Sequence, residues 1–219
     1  MSLLQNFRKA IMALICKPIA HFWFGLNLLH KERLPEKGPA IIIANHNSHL
    51  DTFLLLTLFK TSLLDRLKPV AAADYFLKGG FSSWVSLRLI GILPVTRERK
   101  REESDPLQAC YRALERGDIL IIFPEGSRGA PEEMSNFKTG IARIARQFPE
   151  VPVVPIYLQN AGRALPKGKH IPVPFVFTAI IGEALTYPGD RAEFMDQLRS
   201  AMAVLKEEAP PLKWPEQES

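Results

Sequence analysis

His46 and Asp51 are the residues of this chain whose types and spacing best suit catalysis. A carboxylate placed shortly after an imidazole, across a strand-to-helix turn, can fold back and hold one ring nitrogen. The other nitrogen is then free to accept a proton as a general base. In the alternative interpretation the segment is a capping cluster, with Asn47 or Ser48 at the helix start and Asp51 in its first turn. This motif alone leaves both interpretations open.

A second polar cluster, Phe123–Arg128, repeats the same arrangement later in the chain. Each cluster follows an apolar run that predicts a buried strand, so we expect the two to converge at one edge of a sheet. Gly126 allows close approach of the backbone to a ligand, and Arg128 offers a guanidinium that matches phosphate oxygens. The cluster therefore predicts a phosphate cradle. The alternative is a strand-ending turn in which Glu125 and Arg128 pair with each other.

The elements that must position these clusters alternate between strands and helices. This pattern predicts a single α/β domain with a central, mostly parallel sheet flanked by helices. After two N-terminal helices, the predicted strands are 41–44, 70–73, 92–95, 119–123, 153–158 and 175–181. The predicted helices are 49–60, 81–90, 105–116, 137–147 and 190–207.

The composition of the 219 residues limits the classes of partner. A formal net charge of +5 suits anionic partners such as phosphates, a coenzyme A-like donor or an anionic membrane surface. Zinc-finger spacing and RNA-binding aromatic motifs are absent from the sequence, so nucleic acid is not an expected partner. Two cysteines, Cys16 and Cys110, are too few for a disulfide framework and indicate a reducing compartment.

The N-terminal stretch from Ala10 to Leu29 is largely apolar but is interrupted by Lys17 and Pro18. A charged residue beside a proline is unfavourable in the middle of a membrane-spanning helix. The pattern instead predicts two helices broken at Lys17–Pro18, with apolar and aromatic faces that could lie in the membrane interface. The alternative is that these faces pack on the domain core.

Four segments together resemble the glycerolipid acyltransferases of the lysophosphatidic acid acyltransferase (PlsC-like) type. In chain order they are NHNSHLD (45–51), GILPVTR (91–97), FPEGSR (123–128) and VPVVPI (151–156). Two shorter segments are also similar to that family, namely FKTG (137–140) and IGE (181–183). The resemblance covers roughly residues 35 to 187.

The resemblance implies a role for each matching residue. His46 would be the general base that deprotonates an acceptor hydroxyl, and Asp51 would hold its tautomer. The hydroxyl would attack the thioester of acyl-CoA or acyl carrier protein directly, without a cofactor or a metal. The residues implied to bind the acceptor and its phosphate are Arg97, Glu125, Gly126, Ser127 and Arg128. An apolar slot for the acyl chain could be lined by Phe53, Phe81 or Trp84.

The chain departs from the family pattern after the second predicted strand. Many members carry a Lys-Lys-Glu stretch there, whereas this chain has Ala71-Ala72-Ala73-Asp74. The nearest base is Lys78, which we therefore add to the expected phosphate ligands. The acceptor expected from the resemblance is 1-acyl-glycerol-3-phosphate, giving phosphatidic acid. The departure keeps another lysophospholipid, a lyso-ornithine lipid or a glycolipid as alternative acceptors.

The expected protein is thus an O-acyltransferase at the cytoplasmic face of a membrane, peripheral or monotopic. Its expected parts are an N-terminal helical pair (1–30), an acyltransferase domain (31–207) and a disordered tail (208–219). Two other classes remain. A metal hydrolase would use His46, His49 and Asp51 as ligands. A non-catalytic module would bind membrane surfaces without using the His46–Asp51 pair.

Overall fold

A seven-stranded sheet forms the centre of the molecule. The computed structural model of the chain describes residues 3–48, 50–73, 90–95, 105–129, 133–160 and 176–211. Its strands are β1 (Asn27–Leu29), β2 (Ala40–Ala44), β3 (Leu67–Ala72), β4 (Leu93–Val95), β5 (Ile119–Ile122), β6 (Val153–Gln159) and β7 (Thr178–Ile181). Their spatial order is β1-β7-β6-β2-β5-β3-β4.

The sheet is parallel except at one pair of strands. Strand β2 lies between β5 and β6 and is parallel to both, with Ile43 opposite Ile122 of β5. Only β6 and β7 run antiparallel among the described strands. The predicted mostly parallel α/β sheet is confirmed. The carboxyl ends of β2 and β5, where the two polar clusters begin, therefore lie side by side.

Helices cover both faces of the sheet. The described α-helices are α1 (Leu3–Ile11), α2 (Leu50–Leu58), α3 (Gln108–Glu115), α4 (Gly140–Gln147) and α5 (Arg191–Glu208). Alternate residues of β2 point to opposite faces, as a pleated strand requires. Ile42 packs in the core formed with α2 and the N-terminal segment, whereas Ile41 and Ile43 pack in the core with α3, α4 and α5.

The predicted break at Lys17–Pro18 is wrong. The backbone is helical from Leu3 to Trp23, and Pro18 itself has φ −57° and ψ −44°. Two π-helical segments, Met12–Cys16 and Ile19–Trp23, flank the proline. Their wider turns bond residues five apart, and such bulges let a helix continue where proline removes a donor. In the described part of the chain, no helix is long and apolar enough to cross a membrane.

The N-terminal segment, residues 3–23, turns much of its apolar surface outward. Its exposed large apolar side chains are Leu3, Phe7, Leu14, Ile15, Ile19, Phe22 and Trp23. Arg8, by contrast, is buried, and its Nη2 donates a 2.7 Å hydrogen bond to the Ile90 carbonyl. The segment buries Met12 and Ala20 as a surface helix does, but it also buries an arginine and exposes large apolar side chains.

Two strands differ from their predicted bounds. Strand β1 was not predicted, because three residues inside a long apolar run carry no period-two signal. Strand β3 begins at Leu67, before the predicted start, since Lys68 and Pro69 resemble a turn although they lie in the strand. The helix predicted at 81–90 lies outside the described residues except for its last position.

Candidate active site

His46 and Asp51 form the pair that their spacing predicts. Nδ1 of His46 lies 2.9 Å from Oδ2 of Asp51. Strand β2 ends at Ala44 and α2 begins at Leu50, so the histidine lies in the turn and the aspartate in the first helical turn. An aspartate that accepts from Nδ1–H fixes the tautomer and leaves Nε2 able to take a proton. The imidazole is 19% exposed, which gives a substrate access to it.

The Asp51 carboxylate is fully buried and holds the turn as well as the ring. Its Oδ2 also accepts hydrogen bonds from the backbone amides of Asn47 and Ser48, at 2.7 and 2.8 Å. Its other oxygen, Oδ1, is buried and accepts none from the described residues. Three N–H groups thus converge on one carboxylate oxygen and hold the side chain in a single orientation. Asp51 is therefore suited to stabilising an imidazolium.

The capping interpretation holds in part. Oγ of Ser48 accepts a 3.2 Å hydrogen bond from the Leu50 amide at the start of α2. Asp51, however, uses its carboxylate on groups that precede it rather than on the helix alone. Ser48 therefore caps the helix, and Asp51 orients the histidine.

Phe123 and Glu125 join the two polar clusters. The Phe123 ring stacks on the His46 imidazole, with centroids 4.1 Å apart and planes inclined by 21°. Oε1 of Glu125 accepts a 2.8 Å hydrogen bond from the backbone amide of His46. Oε2 accepts two more at 2.8 Å, from the amide and the hydroxyl of Ser135. The convergence of the two clusters is confirmed, but Glu125 does not pair with Arg128.

Asn45 fixes the same turn to the neighbouring strand β6. Its Oδ1 accepts a 2.7 Å hydrogen bond from the Leu158 amide, and its Nδ2 donates 2.9 Å to the Leu158 carbonyl. Nδ2 also donates to Oδ1 of Asn47, whose own Nδ2 donates to the Glu133 carbonyl. Sequence reasoning did not identify Asn45, although an amide directly after a buried strand could have indicated it.

The turn after β5 forms an open, positively charged surface. Gly126 has a φ of +71°, a conformation that L side chains rarely adopt. A Cβ at this position would lie 2.7 Å from Nζ of Lys138, so the lysine side chain packs over the glycine. Ser127 is exposed and Arg128 is half-buried, and Arg128 makes no ion pair with the described residues. Lys138 is thus a cation at this turn that sequence reasoning did not include among the ligands.

Several predicted site residues lie outside the described residues. They are His49, Lys78, Phe81, Trp84 and Arg97. Strand β4 ends at Val95 and is parallel to β3, so its carboxyl end lies at the same edge of the sheet as His46. Phe53 is partly buried and packs against the core of the α2 face. Within the described ranges, no three His, Cys, Asp or Glu side chains are grouped to hold a metal.

Comparison with known proteins places this geometry in a family. The family model described as Acyltransferase matches residues 26–159, which contain both polar clusters. The chain belongs to the acyltransferase family. The match takes in strands β1 to β6 and therefore the whole described part of the site.

Curated relatives share about a third of the matched residues. The chain is 31% identical over 147 residues to a chloroplastic 1-acyl-sn-glycerol-3-phosphate acyltransferase of Arabidopsis thaliana, covering 67% of this chain. It is 30% identical over 203 residues, or 92% of this chain, to a protein of the same name from Chlamydomonas reinhardtii. The chain spans 39% and 58% of the lengths of these relatives.

The fold has a solved counterpart. The crystal structure of the 1-acyl-sn-glycerophosphate acyltransferase PlsC from Thermotoga maritima superposes with a TM-score of 0.74. The match covers 97% of this chain and 86% of that chain, at 22% sequence identity. This chain and PlsC thus have the same fold.

Proposed function

We propose that this protein transfers a fatty acyl group from an acyl thioester to the free hydroxyl of 1-acyl-glycerol-3-phosphate, forming phosphatidic acid. The observation that carries the proposal is the His46 Nδ1–Asp51 Oδ2 contact of 2.9 Å at the edge shared with the Gly126 turn. The names of the two relatives above support the acceptor. The thioester can be acyl-CoA or acyl carrier protein, and the chemistry is the same with either donor.

The geometry supports a direct transfer. Nε2 of His46 takes the proton of the acceptor hydroxyl as its oxygen attacks the thioester carbonyl. The tetrahedral intermediate collapses and releases the thiolate, which recovers the proton from the imidazolium. Asp51 stabilises that imidazolium through Nδ1. A diacyl lipid and a free thiol are the products, so no residue of the protein becomes acylated.

The acceptor phosphate is assigned to the turn after β5. Arg128 and Lys138 supply positive charge there, and Gly126 allows the ligand to approach the backbone. Arg97, Ser127 and Lys78 remain proposed ligands from the sequence resemblance. Glu125, by contrast, is proposed as a positioning residue, since both its oxygens accept hydrogen bonds from the protein.

The N-terminal segment supports a place at the membrane surface. Phe22 is 85% exposed and Leu3 is 89% exposed, which is unfavourable in water and favourable in a lipid interface. We therefore assign residues 3–23 as the surface that rests in the bilayer interface. Location at the cytoplasmic face follows as a proposal, since acyl thioesters are the donors expected there.

Thiol release from palmitoyl-CoA by the purified protein in detergent tests the proposed function. The acceptors are 1-acyl-glycerol-3-phosphate and the matched 1-acylglycerol that lacks the phosphate, each assayed with the parent and with His46→Ala. We expect release that requires the phosphate and His46. Release only with another lysolipid, assayed in parallel, would show that the proposed acceptor is wrong and that the acyl-transfer chemistry stands. Vesicle binding without thiol release from any acceptor, with acyl-CoA or with acyl carrier protein donors, would favour a non-catalytic module.

A further inference from the structure

A cleft on the N-terminal face of the molecule contains positive charge that the proposed catalytic site does not use. The cleft has a volume of about 340 Å³ and lies between the N-terminal segment, β1 and the end of α2. Leu26, Leu28 and Leu58 supply apolar lining. The ionisable groups that line it are Lys17, His21 and Lys31, and none of the described lining residues is acidic.

Lys17 is held in place but keeps donors available. Its Nζ donates a 2.7 Å hydrogen bond to the Phe59 carbonyl, just after the end of α2. An ammonium group has three N–H donors, so this contact leaves two for a ligand. Burial lowers the pKa of Lys17, and the positive charge of Lys31 lowers that pKa further. The two lysines thus repel each other across the cleft.

Glu32 and Glu36, which follow Lys31 in the chain, do not line the cleft. Glu36 pairs with Lys60 at 2.6 Å, and Glu32 lies 3.8 Å from His30. Lys31 is exposed and makes no ion pair with the described residues. An apolar cleft with two cations and no acid is complementary to an anionic amphiphile, because the ligand removes the repulsion between the lysines.

The surroundings of the cleft indicate where that amphiphile comes from. His21 and Phe22, which line the cleft, are exposed, as are Ile19 and Trp23 beside them. Tryptophan and phenylalanine at an exposed helix face are typical of residues that enter a membrane interface, and lysines beside them attract anionic headgroups. A soluble phosphate would make no contact with these exposed apolar side chains, whereas the acyl chains of a lipid would.

We propose that this cleft binds the phosphate headgroup of an anionic membrane lipid between Lys17 and Lys31. The bound lipid orients residues 3–23 in the bilayer and is separate from the acceptor that reacts at His46. The inference rests on the membrane placement given under the proposed function, but not on the acyltransfer chemistry.

Partition of the purified protein into vesicles tests the site. The vesicles are phosphatidylcholine alone or phosphatidylcholine with phosphatidylglycerol, at fixed ionic strength. We expect Lys31→Gln and Lys17→Gln each to lower the partition coefficient on the anionic vesicles by about fivefold. The matched control is Lys37→Gln, because Lys37 is exposed and lies outside the cleft. For this control we expect a loss in the partition coefficient of less than about twofold. Circular dichroism and the melting temperature establish that each variant is folded.

Three results would overturn the proposal. Equal losses for Lys31→Gln and Lys37→Gln would mean that only diffuse charge attracts the membrane. Equal losses on vesicles with and without phosphatidylglycerol would exclude a headgroup site. Stabilisation by inorganic phosphate that requires Lys31, without any change in vesicle partition, would assign the cleft to a soluble anion. Acyl transfer by the parent in detergent is measured separately, so its failure would refute the proposed function alone.

Discussion

The backbone amide of His46 donates a 2.8 Å hydrogen bond to Oε1 of Glu125, across the boundary between two parallel strands. The same carboxylate holds Ser135 through its other oxygen. One buried side chain therefore sets the position of the proposed base relative to the loop that follows the turn after β5. Its effect on catalysis passes through His46 rather than through contact with the substrate.

Replacement of Glu125 by Gln separates the two roles offered for this residue. The amide nitrogen of Gln replaces one of the two accepting oxygens, so either the His46 amide or the Ser135 groups lose their acceptor. An unsatisfied buried group costs about 1–3 kcal/mol. We expect a lower free energy of unfolding in urea and a lower kcat, with the acceptor KM nearly unchanged. An acceptor ligand would give the opposite, a higher KM and unchanged stability. Ser135→Ala is the milder matched variant.

His46→Ala and Asp51→Asn test the proton transfer. Removal of a general base costs about 10² to 10⁴ in rate, so we expect near-complete loss of transfer by the folded His46→Ala protein. Asp51→Asn should be less severe, because an amide oxygen in the position of Oδ2 still accepts from Nδ1 and from the Asn47 and Ser48 amides. Steady-state kcat and circular dichroism measure both effects. A His46→Ala enzyme near full rate would refute the mechanism.

Three lysine and glycine variants locate the acceptor phosphate. Lys138→Ala and Lys78→Ala each remove one candidate cation, and charge-assisted hydrogen bonds contribute about 1.5–3 kcal/mol. Replacement of the lysine that binds the phosphate should raise the acceptor KM more than the donor KM. Equal changes in the two KM values would count against phosphate binding by that lysine. Gly126→Ala should act like Lys138→Ala, because a Cβ there would lie 2.7 Å from Nζ of Lys138. The rate of acyl transfer to the phosphate-free acceptor should not change in any of the three variants.

Arg8 links α1 to the segment just before β4. Its guanidinium bonds the Ile90 carbonyl at 2.7 Å, and a Cβ at Gly91 would lie 2.7 Å from it. We expect Arg8→Ala to lower the free energy of unfolding by about 1–3 kcal/mol, since a buried hydrogen-bonded group is lost. Lys9→Ala removes a less buried ion pair to Asp65 and should cost less than about 1 kcal/mol. Equal costs would exclude a special role for Arg8.

The two cysteines should differ in reactivity, with a pH dependence set by burial. Burial raises the pKa of the Cys110 thiol to about 12, and it also raises the pKa of Cys16. The reactive thiolate is therefore scarce at neutral pH and increases as the pH rises toward these values. In the folded protein we expect slow labelling of Cys16 by a disulfide reagent and none of Cys110, which is fully buried. Labelling of both in urea is the control.

The parallel sheet and the meeting of the two polar clusters could be predicted from the sequence. A run such as Ile41–Ile43 is buried on both sides and ends in polar residues, and both signals are local. The contacts of Asn45 with Leu158, and of Glu125 with Ser135, could not be predicted in this way. They depend on the order in which strands lie side by side and on the path of a loop, which residue periodicity does not encode.

Strand β1 has a consequence for any attempt to obtain the catalytic domain without its N-terminal residues. Asn27 donates to the Phe177 carbonyl and Phe177 donates to the Phe24 carbonyl, while the rings of Phe24 and Phe177 meet edge to face. A truncation that starts at residue 31 would remove the edge strand β1 and leave the backbone groups of β7 open to pairing with another molecule. We expect such a fragment to self-associate. A fragment that starts before Phe24 keeps β1 paired with β7 and should not.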